Sequence, residues 1–304
     1  MDNVNYEEIV EVIKRYDKEF SFEEFTDIID DQNMVEGIDS YFKNKYEQYA
    51  VLGIDIYKYS GFPEPKQSLI PILFKLIYNE TVKNCKKLEP FLFQKINDVD
   101  FAKKFISTGD GGFLLMPTPL HALWFIVYFE ANLRTFNSFS FFPKLRHWIG
   151  EINLRYCLTL DNLFSFNDNF YGSAIITNSR LLSRDSLNRF LVDKNTYDWF
   201  LKTIGGIETL MMIGMEHIDQ LKEFKDYDKQ ERSPNRSVIL RTGSKTLNLI
   251  NVQKIGLVTT KNQQIDVYNV FLQVLLHAFD DSNDQKTKPL VISIGNTNTS
   301  GINL

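Results

Sequence analysis

Residues 49–57 have the sequence Tyr49-Ala50-Val51-Leu52-Gly53-Ile54-Asp55-Ile56-Tyr57, a continuous apolar run with one acid near its end. A run of this length without alternation predicts a strand that is buried on both faces of a sheet. A carboxylate in such a strand costs free energy unless it is paired or binds a metal ion. Asp55 is therefore either a site residue or an outward-facing residue that caps the next turn, and the strand alone leaves both open.

The segments that follow this strand predict a mixed fold of helices and strands. Helical spacing is found at 69–79, 120–136 and 173–184. Strands are predicted at 104–108, 113–116, 153–159, 189–192, 245–252, 255–260 and 265–273. This order predicts the α+β class: a domain with a mostly antiparallel central sheet flanked by helices.

The chain divides by composition into three parts. Residues 1–48 carry apolar side chains at helical spacing and predict a helical N-terminal extension, which either packs structurally or contacts a second subunit. Residues 49–275 would form the main domain. Residues 276–304 would form a C-terminal tail, polar at first and then apolar.

Composition excludes several classes of protein. The chain has 304 residues, a formal net charge of −5 and 43% hydrophobic residues, which argues against disorder and against a general binder of nucleic acid. No segment reaches the ~20 uninterrupted apolar residues of a membrane helix, and the acidic N-terminus is unlike a secretory signal. Cys85 and Cys157 are far apart in the sequence. We therefore expect a cytoplasmic protein without a membrane or nucleic-acid partner.

A second acid lies in a glycine-rich turn. Gly109-Asp110-Gly111-Gly112 separates two short strands, and Asp-Gly is a common hairpin turn, so this signal is weak by itself. A hairpin beside the Asp55 strand would bring the two carboxylates together. Oxygen ligands in such a pair would favour Mg²⁺ or Mn²⁺.

The third candidate is an arginine on a helix of small and apolar residues. Gly172 precedes the helix, and Ile176 and Arg180 share one face while Asn178 does not. Such an arginine is either paired structurally or directed at an anionic ligand, where arginine stabilises charge on phosphorus.

Together these three stretches resemble the catalytic domain of class III nucleotidyl cyclases. They are Gly53–Ser60, Thr108–Gly111 and Tyr171–Leu181. Downstream, Phe190-Leu191-Val192 with Thr196-Tyr197, and then Lys261–Val270, resemble the last strands of that domain. The resemblance spans residues 49–275.

The resemblance implies a role for each matched residue. Asp55 and Asp110 would bind two divalent ions, Mn²⁺ or Mg²⁺, with the Ile56 carbonyl as a further ligand, and Arg180 would stabilise the transition state. The family has an asparagine four residues before this arginine, where this chain has Ile176.

The resemblance also implies substrate-binding positions. Tyr57, Ser60 and Lys261 would contact the substrate, Ser60 and Lys261 through its phosphates. Ile106 and Asn169 occupy the two positions where purine cyclases carry their base-reading residues. Neither purine pair is present, so the chain resembles the pyrimidine cyclases of bacterial anti-phage (Pycsar) systems.

The implied activity is conversion of CTP to 3′,5′-cyclic CMP and pyrophosphate as a signal in anti-phage defence. The implied assembly is a homodimer with composite active sites, whose product is bound by a separate effector. The alternatives are a uridylate cyclase, a purine cyclase, and a cyclase-like domain that binds a nucleotide without turning it over.

Overall fold

A computed structural model describes residues 46–166, 169–211, 215–231, 249–259, 264–278 and 288–302. The predicted N-terminal helices and Lys261 lie outside these residues. The chain divides into two compact units: residues 1–48 with 161–173, and residues 49–160 with 174–304. No helix in the described ranges is long and apolar enough to cross a membrane.

Strands and helices are both distributed along the whole described part of the chain, several of them in consecutive pairs or triplets. The strands are β1 (Tyr46–Ile56), β2 (Phe105–Ser107), β3 (Gly111–Met116), β4 (Leu154–Phe166), β5 (Asn169–Tyr171), β6 (Phe190–Asp193), β7 (Leu249–Thr259), β8 (Gln264–Ala278) and β9 (Lys288–Ile294). The helices are α1 (Glu64–Leu88), α2 (Pro90–Phe93), α3 (Asp98–Lys103), α4 (Pro119–Asn137), α5 (Pro143–Ile149), α6 (Ser173–Arg184), α7 (Lys194–Ile204) and α8 (Met215–Ile218).

The larger unit is built on a mostly antiparallel sheet. Its strand order is β2-β3-β1-β4-β6-β8-β7, with β9 paired to β8. The β4–β6 pair is parallel, whereas β1–β3, β2–β3, β6–β8 and β7–β8 are antiparallel. The α+β class with a mostly antiparallel sheet is therefore confirmed. The sheet places β1 between the β2–β3 hairpin and β4.

The smaller unit contains a hairpin among its described residues. The end of β4 pairs with β5 in antiparallel register, Phe164 opposite Tyr171. The Tyr46 ring lies 5.9 Å from the Phe164 ring, and the Ser173 hydroxyl donates to the Asp161 carboxylate.

The core of the larger unit lies between the sheet and two long helices. Helix α4 is apolar on all sides, from Trp124 to Phe129, and most of its side chains are buried, as expected for a helix enclosed by the protein. Helix α1 packs against it through Phe74, whose ring lies 5.3 Å from that of Phe129.

Most predicted elements are present, and two expectations are wrong. Thr196 and Tyr197 lie in α7 rather than in a strand, because Asp193 accepts a hydrogen bond from the Thr196 N–H at 2.9 Å and caps that helix. The two strands predicted at 245–252 and 255–260 form, where described, the single strand β7. A register shift between Lys254 and Gly256 takes the place of the predicted break.

Candidate active site

The structure brings Asp55 and Asp110 together where the end of β1 lies beside the β2–β3 turn. Asp55 is opposite Gly111 in the β1–β3 register, and the Ile56 N–H donates to the Asp110 carbonyl at 3.2 Å. The turn depends on Gly109, whose φ of +99° is one that glycine adopts readily. The closing bond runs from the Thr108 N–H to the Gly111 carbonyl at 3.1 Å. Backbone pairing therefore fixes the two acids as neighbours.

Asp55 also has a partner that the sequence did not indicate. The Arg155 guanidinium on β4 donates through Nε to the Asp55 carboxylate and through Nη1 to the Asp185 carbonyl. The Asp55 side chain is 19% exposed and that of Arg155 is 21% exposed. The sequence shows a lone arginine at the start of the otherwise apolar stretch 154–158, but nothing in that pattern identifies Asp55 as its partner.

The pKa of the Asp55 carboxyl is raised by its surroundings. Burial is the largest cause, and the nearby charge of Asp110 also raises this pKa, while Arg155 lowers it through the hydrogen bond and its charge. Two neighbouring carboxylates with only one arginine leave a local excess of negative charge. A cation at this position would be stabilised.

The loop after β1 carries Tyr57 and Ser60. The Tyr57 N–H donates to the Asn153 carbonyl at 2.9 Å, and its hydroxyl donates to the Ser186 carbonyl at 3.2 Å. Ser60 is exposed in a short 3₁₀ turn, Tyr59–Gly61. A cavity of about 450 Å³ adjoins this loop, lined by Tyr57, Lys58, Gly61, Phe62, Glu151 and Asn153.

Helix α6 has an inner face that is anchored to the sheet. Asn178 is fully buried, and its Nδ2 donates to the carbonyls of Val51 at 2.7 Å and Cys157 at 2.9 Å. Its Oδ1 lies against Gly53, so closely that a Cβ at that position would overlap it. Asn178 therefore joins α6 to β1 and β4 and does not face a substrate.

The outer face of α6 carries Ile176 and Arg180. Both are exposed, Ile176 at 50%. Within the described residues, the Arg180 side chain makes no ion pair or hydrogen bond, so no contact joins it to Asp55 or Asp110.

The two residues matched to base recognition lie in different units. Ile106 is half-buried on β2 opposite Phe113, in the larger unit. Asn169 is exposed at the start of β5, opposite Phe166, in the smaller unit.

A buried ion pair follows the arginine helix. The Arg189 guanidinium donates to Asp185 Oδ1 through Nη2 at 2.7 Å and through Nε at 3.0 Å, with both side chains 1% exposed. Its Nη1 donates to the Ser300 carbonyl at 2.6 Å. This pair joins the end of α6 to the C-terminal segment. The backbone carbonyl of Asp185 also accepts from Arg155.

The donor set at Asp55 and Asp110 suits a hard divalent cation only in part. Among the described residues there is no group of three or more His, Cys, Asp or Glu side chains that could hold a metal ion. Mg²⁺ is commonly held by one or two carboxylates and completed by substrate phosphates and water. Two carboxylates therefore fit an ion that arrives with a phosphorylated ligand.

No known protein family and no curated protein matches the sequence. Solved structures that match include an adenylate/guanylate cyclase/hydrolase from Silicibacter pomeroyi, at 13% identity over 74% of this chain and 96% of that chain, with a TM-score of 0.37. The adenylyl cyclase CyaB from P. aeruginosa matches at 12% identity over 74% and 94%, with a TM-score of 0.38.

A guanylyl cyclase domain of the RhoGC fusion protein from Blastocladiella emersonii matches at 13% identity over 74% and 96%, with a TM-score of 0.40. At these identities and TM-scores the matches assign no activity to this chain. The fold class rests on the strand pairing described above.

Proposed function

We propose that the chain is a nucleotidyl cyclase, which converts a nucleoside triphosphate to a 3′,5′-cyclic nucleotide and pyrophosphate. The observation that carries the proposal is that the β1–β3 pairing makes two acids, Asp55 and Asp110, neighbours. The sequence motifs around both acids and around Arg180 support it. Helix α6, which carries Arg180, is anchored by Asn178 to the same strand as Asp55.

The reaction is an intramolecular phosphoryl transfer. The ribose 3′-oxygen forms a bond to the α-phosphorus, the bond from that phosphorus to the bridging oxygen of the β-phosphate breaks, and pyrophosphate leaves. The proton of the 3′-hydroxyl passes to water. The protein must therefore orient the 3′-oxygen and stabilise negative charge on the phosphates.

Asp55 and Asp110 would hold two divalent ions, Mn²⁺ or Mg²⁺, with the Ile56 carbonyl as a further ligand. When bound, these ions would activate the 3′-oxygen and neutralise the triphosphate. Arg155 restrains the Asp55 carboxylate from the side of β4, so that one of its oxygens has a fixed orientation.

Arg180 is proposed to act across a dimer. Its exposed position on α6 leaves it available to a second subunit, whose Asp55 and Asp110 would complete a shared site. A homodimer then has two equivalent composite sites. Arg180 would oppose the charge on the equatorial oxygens of the α-phosphorus.

We further propose a pyrimidine substrate, with CTP preferred to UTP. The Ile106 side chain has no hydrogen-bond donor or acceptor for the polar edge of a purine base. Binding of a base whose polar groups stay unpaired is weakened by several kcal/mol. The Asn169 carbonyl can accept from the cytosine amine. Tyr57 and Ser60 would contact the substrate, as would Lys261. In this proposal cyclic CMP is a cytoplasmic anti-phage signal that a separate effector binds.

Two other functions fit part of the site. A purine cyclase is equally consistent with Asp55, Asp110 and Arg180. A domain that binds a nucleotide without turning it over is favoured by one observation: Ile176, in place of the family's asparagine, has no polar group for the transition state.

The test is incubation of the purified protein with Mn²⁺ and each of ATP, GTP, CTP and UTP, followed by mass detection of the product. We expect cyclic CMP to form fastest. Dominant cyclic AMP or cyclic GMP would overturn the pyrimidine proposal and leave the cyclase proposal standing. No cyclic product from any of the four would support the inactive domain.

A further inference from the structure

Lys58 has an unusual backbone conformation two residues after the end of β1, the strand that carries Asp55. Its φ of +59° and ψ of 33° lie in the left-handed region, which side chains with a Cβ adopt at a cost in free energy. Its carbonyl accepts from the Gly61 N–H at 3.0 Å, so the turn is closed around it. Strained backbone of this kind concentrates at functional sites.

Lys58 is one of the residues that line the cavity beside this loop. Within the described residues the Lys58 ammonium has no carboxylate partner, and its Nζ lies 5.0 Å from the centre of the Tyr57 ring. The same residues, Lys58 and Tyr57, line the 450 Å³ cavity with Phe62 and Glu151. Lys58 is three residues from Asp55, which lies at the end of the strand.

We propose that Lys58 binds the terminal phosphates of the triphosphate in this cavity and retains the leaving pyrophosphate; this inference rests on the proposed cyclase function. The ammonium is a compact point charge, suited to phosphate oxygens. As the bond between the α-phosphorus and the bridging oxygen breaks, negative charge grows on the pyrophosphate, and the positive charge of Lys58 offsets it.

Glu151 allows a second test, in which the expected change in polyphosphate binding has the opposite sign. Glu151 is exposed and lines the same cavity, so its negative charge repels a polyphosphate there. The Lys66 Nζ lies 3.8 Å from where a Cβ on Gly150 would stand, so a further cation lies near this rim. Removing the Glu151 charge should therefore tighten polyphosphate binding, whereas removing the Lys58 charge should weaken it.

The experiment compares Lys58→Gly, Lys58→Arg, Glu151→Gln and the wild type, with Lys144→Ala as a control for net charge at an exposed lysine. Glycine keeps the left-handed turn and removes the whole side chain together with its ammonium. We would measure calorimetric binding of inorganic tripolyphosphate with Mn²⁺, the KM and kcat for the triphosphate, and the melting temperature. The binding measurement does not require turnover.

We expect Lys58→Gly to weaken tripolyphosphate binding and raise KM by about 10- to 100-fold, the loss of one charged hydrogen bond. Its melting temperature should be no lower than that of the wild type. Lys58→Arg should restore most of the affinity, Glu151→Gln should tighten binding by a few fold, and Lys144→Ala should match the wild type.

Equal tripolyphosphate affinity in Lys58→Gly and the wild type, or no binding by the wild type, would overturn the inference. If the Lys58 inference is overturned but the wild type still cyclises a triphosphate, the cyclase proposal stands. If tripolyphosphate binding depends on Lys58 but no cyclic nucleotide forms, the phosphate site stands and the cyclase proposal fails.

Discussion

Arg155 makes the most direct contact with the proposed catalytic pair. Its guanidinium spans from the Asp55 carboxylate to the Asp185 carbonyl at the end of α6. A planar group with several donors can hold both acceptors at once, which an ammonium cannot. Arg155 therefore fixes Asp55 relative to the helix that carries Arg180.

We predict that Arg155→Lys lowers cyclase activity by about 10- to 100-fold, the usual effect of losing a partner that orients a metal ligand. The lysine keeps the charge but cannot reach both acceptors. The measurement is the initial rate of cyclic-nucleotide formation, with the circular dichroism spectrum as a check on folding. Arg184→Lys, at an exposed position on α6, is the matched control. Wild-type activity in Arg155→Lys would show that this ion pair is dispensable.

At the scale of elements, the close approach of α6 to β1 depends on Gly53 and Asn178. Asn178 fills the space that a side chain at position 53 would need and donates to carbonyls of β1 and β4. A side chain added at position 53 would overpack this contact, and loss of the Asn178 amide would remove its hydrogen bonds; both changes destabilise a protein. The two changes act on the same contact between α6 and β1.

We predict that Gly53→Ala destabilises the protein by about 1–3 kcal/mol and Asn178→Ala by about 1–3 kcal/mol. The double variant should lose less stability than the sum of the two single losses, because removing the amide makes room for the new methyl group. Urea unfolding of the four proteins measures this coupling. Additive losses would mean that the two residues do not share one contact.

The sequence predicts those helices and turns that are determined by residues close together in the chain. The boundaries of α6 match the prediction because its apolar residues keep helical spacing as far as Leu182, and the Asp110 hairpin follows from its glycines. The α7 helix was missed although Asp193 offers an N-cap, because the likeness to a family favoured a strand. Arg155 was missed because its pairing with Asp55 spans 100 residues, which no local pattern encodes.

At the scale of the whole molecule, the account requires two chains for one active site. Arg180 is exposed and contacts neither acid within the described residues. If the metal pair comes from one subunit and Arg180 from the other, each single-site variant retains one half of the machinery.

We predict that mixing inactive Asp55→Ala with inactive Arg180→Ala restores up to about one quarter of wild-type activity, because half of the subunits form heterodimers with one intact site of two. The measurement is the rate of cyclic-nucleotide formation after subunit exchange, confirmed by differently sized tags. Persistent inactivity in exchanged heterodimers would contradict the shared-site geometry.

The central claim is that Asp55 and Asp110 form the centre of a nucleotidyl cyclase. The measurement that tests it most directly is cyclic-nucleotide formation with Mn²⁺ by Asp55→Ala, Asp110→Ala and the control Asp226→Ala, an exposed aspartate, at matched folding by circular dichroism. The account predicts loss of activity in the first two variants and wild-type activity in the third. Retention of more than about one tenth of wild-type activity by either site variant, far above the loss expected when a metal ligand is removed, would contradict it.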